Sequence, residues 1–136
     1  MTPTRRARLR ALAKLNLDLR VLGRRPDGYH ELRTVFQTIS LADTLEVAFT
    51  PAPETAIEVT GACDIPDNLV VKAARRLLDA TGTTGRVEVR LEKKIPMGAG
   101  LGGGSSDAAA MLLALPVLAG RRVAPEELMR LAAELG

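Results

Sequence analysis

The chain has 136 residues, 46% hydrophobic and 26% charged, with a formal net charge of +3 and a pI near 9.5. That is the length and balance of one globular domain able to bury roughly two-thirds of its surface, and no apolar run approaches the ~18 residues of a helical membrane span. One cysteine, Cys63, excludes an internal disulfide and suits a reducing cytosol; the three aromatic residues, Tyr29, Phe36 and Phe49, are a poor supply for stacking on bases.

The basic start (Arg5, Arg6, Arg8, Arg10) lacks the apolar core of a secretory signal. Its alternation runs straight into the next apolar segment, so no removable leader and a cytoplasmic location are expected. Residues 7–12 and 15–21 read as strands, with Leu15, Leu17, Leu19 and Val21 at period two and Asn16, Asp18 and Arg20 between them. Gly23 to His30, with Pro26-Asp27-Gly28, is a turn. Strand patterns return at 32–39, 44–49 and 56–60. Pro66-Asp67-Asn68 opens a helix whose stripe (Leu69, Val70, Ala73, Ala74, Leu77, Leu78) is closed by Gly82. Residues 86–92 alternate as a strand with one face in water. A helix follows from about Ser105 to Ala119, and a last one from near Pro125 to Gly136. Strands come first and helices are interspersed without regular βαβ repetition, so the class is α+β.

Between the last strand and its helix lies Pro96-Met97-Gly98-Ala99-Gly100-Leu101-Gly102-Gly103-Gly104-Ser105-Ser106. Glycine reaches backbone conformations closed to other residues, and a helix start adds free N–H groups and a positive dipole end. Together they suit a polyphosphate. A Walker A loop would end in Gly-Lys-Ser/Thr, and no lysine follows Lys94. A dinucleotide fingerprint is formally present at Gly98, Gly100 and Gly103, but its context fails. The preceding strand is half charged, and no acidic residue closes a second strand some 20 residues on. What remains is a proline-opened anion nest whose serine hydroxyls face phosphate or metal, or cap the helix. Asp107 is placed in the first helical turn, where it favours the dipole and could help organise Mg²⁺.

The loop resembles the ATP-binding signature of the galactokinase, homoserine kinase, mevalonate kinase and phosphomevalonate kinase superfamily. Ala13-Lys14-Leu15-Asn16-Leu17, Gly23 to Leu32 and Phe36-Gln37 narrow the resemblance to the branch acting on 4-diphosphocytidyl-2-C-methyl-D-erythritol, in the non-mevalonate route to isoprenoid precursors. The resemblance implies a two-layer α+β sandwich shared with a ribosomal protein domain, and residues 1–136 as the N-terminal, ATP-binding domain. It implies ATP and Mg²⁺ as cofactors and a cytidine diphosphate-linked methylerythritol as substrate. Lys14 becomes the catalytic cation and residues 96–106 the ATP loop, with Ser105 or Ser106 reaching Mg²⁺. Asn16, Asp27, Tyr29 and His30 become substrate contacts, Tyr29 stacking on cytosine and His30 hydrogen-bonding it.

Members of this branch are longer and continue into an Asp-x-Pro segment carrying the catalytic aspartate, then a second domain. The chain is therefore expected to be a weak or inactive kinase alone, to need a C-terminal half, on the same or a separate polypeptide, and to expose an apolar patch. Neither a nucleic acid nor a membrane is expected as partner. Two rival readings are a nucleotide-binding fragment without catalysis and an RNA-binding protein of ribosomal-type fold.

Overall fold

The computed structural model describes residues 3–28, 30–62, 65 and 68–135, with backbone alone at 18–21 and 30–34. Tyr29, the His30 side chain, Leu19, Val21, Cys63, Pro66, Asp67 and Gly136 therefore lie outside the described side chains. In chain order the elements are β1 (Arg5–Arg24), β2 (His30–Pro51), β3 (Ala56–Gly61), α1 (Leu69–Thr81), β4 (Gly85–Glu92), α2 (Gly103–Ala119) and α3 (Pro125–Leu135). They form one four-stranded sheet, ordered β1-β2-β4-β3, with helices on one face.

Period-two alternation sets the inner face. Register places Ala7 opposite Val47 and Val47 opposite Val89, with Val59 beside Val89; Leu9, Leu45 and Leu91 form the next row. Val47, Val89, Leu45, Leu91, Phe49 and Val87 are buried, each worth about 1.5–3 kcal/mol of apolar burial. β4 alternates buried and exposed along its length, as the sequence predicts. β3 and β4 run parallel, joined across α1, while the other pairs are antiparallel. One βαβ unit is therefore present, short of a repetition.

Two pairs of predicted strands fuse. Residues 7–12 and 15–21 are one strand, and so are 32–39 and 44–49. β-bulges at Leu12/Lys14, Asn16/Asp18 and Val21/Gly23 let the long ribbon twist without breaking. β4 pairs with β2 only over Thr44–Pro51, so the rest of the β1–β2 ribbon runs on two-stranded. This corrects the apolar face expected at 15–21: Leu15, Leu17, Val35 and Phe36 are exposed, because no layer among the described residues covers this stretch of the ribbon.

α1 presents Val70, Ala73, Ala74, Leu77 and Leu78 to the core. Asn68 caps it, its Oδ1 accepting from Val70 N at 2.9 Å, and Gly82 ends it at φ 63°, with Thr83 N donating back to Leu78 O. α3 begins on Pro125, with Glu126 and Glu127 in its first turn. Leu131 anchors it, and Arg76 of α1 pairs with Glu134 at 2.9 Å. α2 is apolar on every side, burying Met111, Leu112, Leu115 and Leu118 while leaving Leu113 and Val117 62% and 70% exposed. The apolar patch expected from sequence is there. Among the described residues no helix is long and apolar enough to cross a membrane.

Candidate functional site

α2 starts at Gly103, two residues before its sequence-based start, and its N-cap is Gly102, which makes no side-chain cap bond. The serine cap is thereby corrected: Ser105 and Ser106 sit inside the first turn, too far along to bond the orphan amides. Gly98, Gly100 and Gly102 adopt φ of 71°, 74° and 70°, a left-handed conformation with a steric penalty for residues bearing a Cβ. Alternating with Ala99 and Leu101, they turn the loop through a tight path between β4 and α2. Among the described residues, no amide from Met97 to Ser105 donates to a backbone carbonyl. The residues that carry these donors line one side of a cleft of about 360 Å³, within the range of small-ligand sites.

The loop's carbonyls, in contrast, are held. Lys14 N donates to Leu101 O at 3.0 Å and Lys14 Nζ to Gly100 O at 2.9 Å. Lys14 stands at the first bulge of β1, and its ammonium lies 5.4 Å from the Phe36 ring centroid, close enough for a cation–π contact. Gly102 packs closely on Lys14: a Cβ there would come 3.0 Å from Lys14 Cε. Strand and loop are thus bound together at Lys14. Asn16 lies exposed two residues along β1. Asp27 is in the distal turn, 3.3 Å from Arg25, on the order of 30 Å along the strand from Lys14.

Behind the loop lies a cluster absent from the sequence analysis as a unit. Asp43, on β2, is fully buried; its Oδ1 accepts from Lys94 N and Ile95 N at 2.7 and 2.9 Å, and its Oδ2 from Lys93 Nζ at 2.6 Å. Lys93 Nζ also donates to Asp107 Oδ2 at 2.9 Å. Asp107 is 2% exposed and lies beyond the first helical turn, so the dipole role predicted for it is corrected to an ion pair beneath the loop. Burial, reinforced by a hydrogen bond with Asp43, pushes the Asp107 carboxyl up to about 7. Burial also raises Asp43, but its hydrogen bonds to Asp107, the two amides and Lys93 outweigh this and hold it below the usual carboxylate value. For Lys93, burial favours the neutral amine, and the two carboxylates overcome it and raise its pKa. A signal for this cluster existed: the alternations Val87-Val89-Leu91 and Phe49-Val47-Leu45 each run one step further into a charge, Lys93 and Asp43, of opposite sign.

Two buried side-chain atoms have no partner among the described residues, Asn68 Nδ2 and Asp107 Oδ1. Both residues line the cleft under the loop. No cluster of three His, Cys, Asp or Glu side chains capable of holding a metal occurs among the described residues.

Known proteins share both chain and fold. A 4-diphosphocytidyl-2-C-methyl-D-erythritol kinase of Solibacter usitatus (strain Ellin6076) is 68% identical over 136 residues, all of this chain and 43% of the relative. One from Ralstonia pickettii (strain 12J) is 51% identical over 128 residues, 93% of this chain and 44% of the relative. A crystal structure of 4-(cytidine 5'-diphospho)-2C-methyl-D-erythritol kinase superposes with a TM-score of 0.78 at 48% identity, covering 96% of this chain and 46% of that one. A mevalonate kinase shares the fold, with a TM-score of 0.70 at 16% identity. The chain thus spans less than half the length of the relatives it matches. The profile of the GHMP kinases N terminal domain matches residues 68–136, taking in the α1 cap, β4, the loop and the helix behind it. By that match, the chain belongs to the GHMP kinase family through its N-terminal domain.

Proposed function

We propose that this chain is the ATP-binding portion of a small-molecule kinase that transfers the γ-phosphoryl group of ATP to a hydroxyl of 4-diphosphocytidyl-2-C-methyl-D-erythritol. The observation that carries this reading is the run of unpaired amides from Met97 to Ser105, curled by left-handed glycines at the start of α2. Fixed N–H groups at a helix N-terminus suit a polyphosphate without side-chain charge. The 68% identity to the Solibacter kinase supports the choice of substrate.

In this reading the residues 96–106 cradle the triphosphate. Lys14, fixed by Gly100 O beside the loop, keeps its charge near the transferring group, where phosphoryl transfer gains most from electrostatic stabilisation. Asn16 takes the cytidine diphosphate-linked substrate near Lys14, and Asp27, Tyr29 and His30 take its far end, which requires the bulged β1–β2 ribbon to curl back over the roughly 30 Å of strand between them. Mg²⁺ would be held by phosphate oxygens with the hydroxyl of Ser105 or Ser106, an arrangement that needs no all-protein cage; when bound it neutralises phosphate charge.

Calorimetric titration of the chain with ATP, with and without Mg²⁺, tests the reading. Saturable 1:1 binding is expected, accompanied by backbone NMR shifts confined to Met97–Asp107 and Lys14. Lys14→Met should raise Kd about tenfold, equivalent to about 1.4 kcal/mol. A folded chain whose loop amides do not respond to millimolar ATP refutes it.

A further inference from the structure

We infer that Lys93, gripped by Asp43 and Asp107, is a positioning residue that holds the two ends of the glycine loop at a fixed separation. The inference deepens the reading of the loop as a phosphate cradle and rests on that reading for its consequence in binding.

The geometry is that of a clamp. Asp43 reaches from β2 and secures the loop's entrance, taking the amides of Lys94 and Ile95 on one oxygen and the Lys93 ammonium on the other. The same ammonium secures the exit by bonding Asp107, on α2. Entrance and exit also touch directly: a Cβ on Gly103 would stand 2.9 Å from Ile95 Cγ2 and 3.2 Å from Lys93 Nζ. Ile95 is buried, so the entrance cannot slide away from this contact. Between the clamped ends, among the described residues, the loop is tied through its carbonyls at Gly100 and Leu101, to Lys14, and at Gly102, to the Ser106 amide. Among the described residues the amides from Met97 to Gly102 have no backbone bonds of their own to fix their direction, and those of Gly103, Gly104 and Ser105 point where the start of α2 points them. Their aim therefore depends on where the two ends stand. Lys93 sets that by joining β4 to α2, and a preorganised cradle spares the ligand the cost of ordering it.

The test uses the full chain and its Lys93→Met variant, which keeps the length of the side chain and removes the charge. Without nucleotide, ¹⁵N order parameters across Gly98–Ser105 should be near 0.85 in the parent chain and fall below about 0.6 in the variant, while those of Val47 and Val89 stay unchanged. The folded variant should bind ATP about 100-fold more weakly, as expected when supporting groups let a site drift by an ångström. Loop order parameters equal to those of the parent overturn the inference, even if the melting temperature drops, because that would leave Lys93 a stabilising ion pair only. If Lys93→Met does not fold, Asp107→Asn serves: it keeps an oxygen for Lys93 but weakens the exit tie. An intermediate loss of loop order supports the clamp, and none overturns it. A parent chain that fails to bind ATP defeats the functional proposal alone, since the order parameters are read without nucleotide.

Discussion

Gly103 and Gly104 are adjacent, both helical and both in the loop's closing turn, yet alanine should act on them in opposite senses. At Gly104 an added Cβ meets only Leu69 Cδ1, at 3.5 Å, an ordinary van der Waals contact. Replacing helical glycine with alanine then stabilises by up to about 1 kcal/mol through helix propensity. At Gly103 the same methyl would meet Ile95 Cγ2 at 2.9 Å and Ile95 Cβ at 3.1 Å, and Ile95 is buried, with its Cβ fixed to the backbone whatever its rotamer. Overpacking of this kind costs roughly 2 kcal/mol, which leaves a net loss of about 1 kcal/mol after the propensity gain. The two variants should therefore differ by about 2 kcal/mol, or about 1 M in urea midpoint at a slope near 2 kcal/mol/M. Urea titrations without nucleotide, followed by far-UV circular dichroism, measure this directly. Equal midpoints, or Gly103→Ala the more stable, would refute the packing described between loop entrance and exit.

Two further outcomes follow from the cluster and the helices. Asp107 holds its proton more tightly folded than unfolded, with its carboxyl at about 7 against an ordinary 3.8. Its contribution to stability is thus full below pH 3.8 and is lost as the pH rises through 7. Asp43 has the opposite sign: held below its ordinary value, it contributes above pH 3.8 and loses that contribution as the pH falls further. Asp107→Asn should accordingly flatten the decline in unfolding free energy between pH 3.8 and 7, and an unchanged slope in urea titrations across that window would contradict the environment assigned to Asp107. On α2, exposed Leu113 and Val117 should make the chain self-associate as concentration rises; sedimentation velocity should show this, and Val117→Lys should diminish it.

Much of the site was legible because its chemistry is local. Five glycines within seven residues signal a chain forced into left-handed turns, which Gly98, Gly100 and Gly102 take while Gly103 and Gly104 open the helix, and that helix follows from a run of alanines. Lys14 was legible only through the motif around it; a lysine among leucines does not announce that its own amide and ammonium will meet a loop 86 residues away. The Asp43–Lys93–Asp107 cluster was harder still, since it is assembled by sheet register from positions 50 and 14 residues apart. Only the step from apolar alternation to a single charge hinted at it. The serine cap failed for a different reason. Gly102 can take the turn that starts the helix, so α2 begins before the serines and leaves them in its first turn.

The loop is moored to residues 14, 43, 93 and 107, on both long strands, at the exit of β4 and on α2. A segment that lacks either the β1–β2 ribbon or α2 loses part of this mooring, so the proposed nucleotide site needs both. On the proposed function, acquiring affinity for nucleotide and completing the fold are then one event. A nucleotide at 100 times its Kd would deepen the folded well by about 2.7 kcal/mol, so resistance to proteolysis should track the supply of nucleotide.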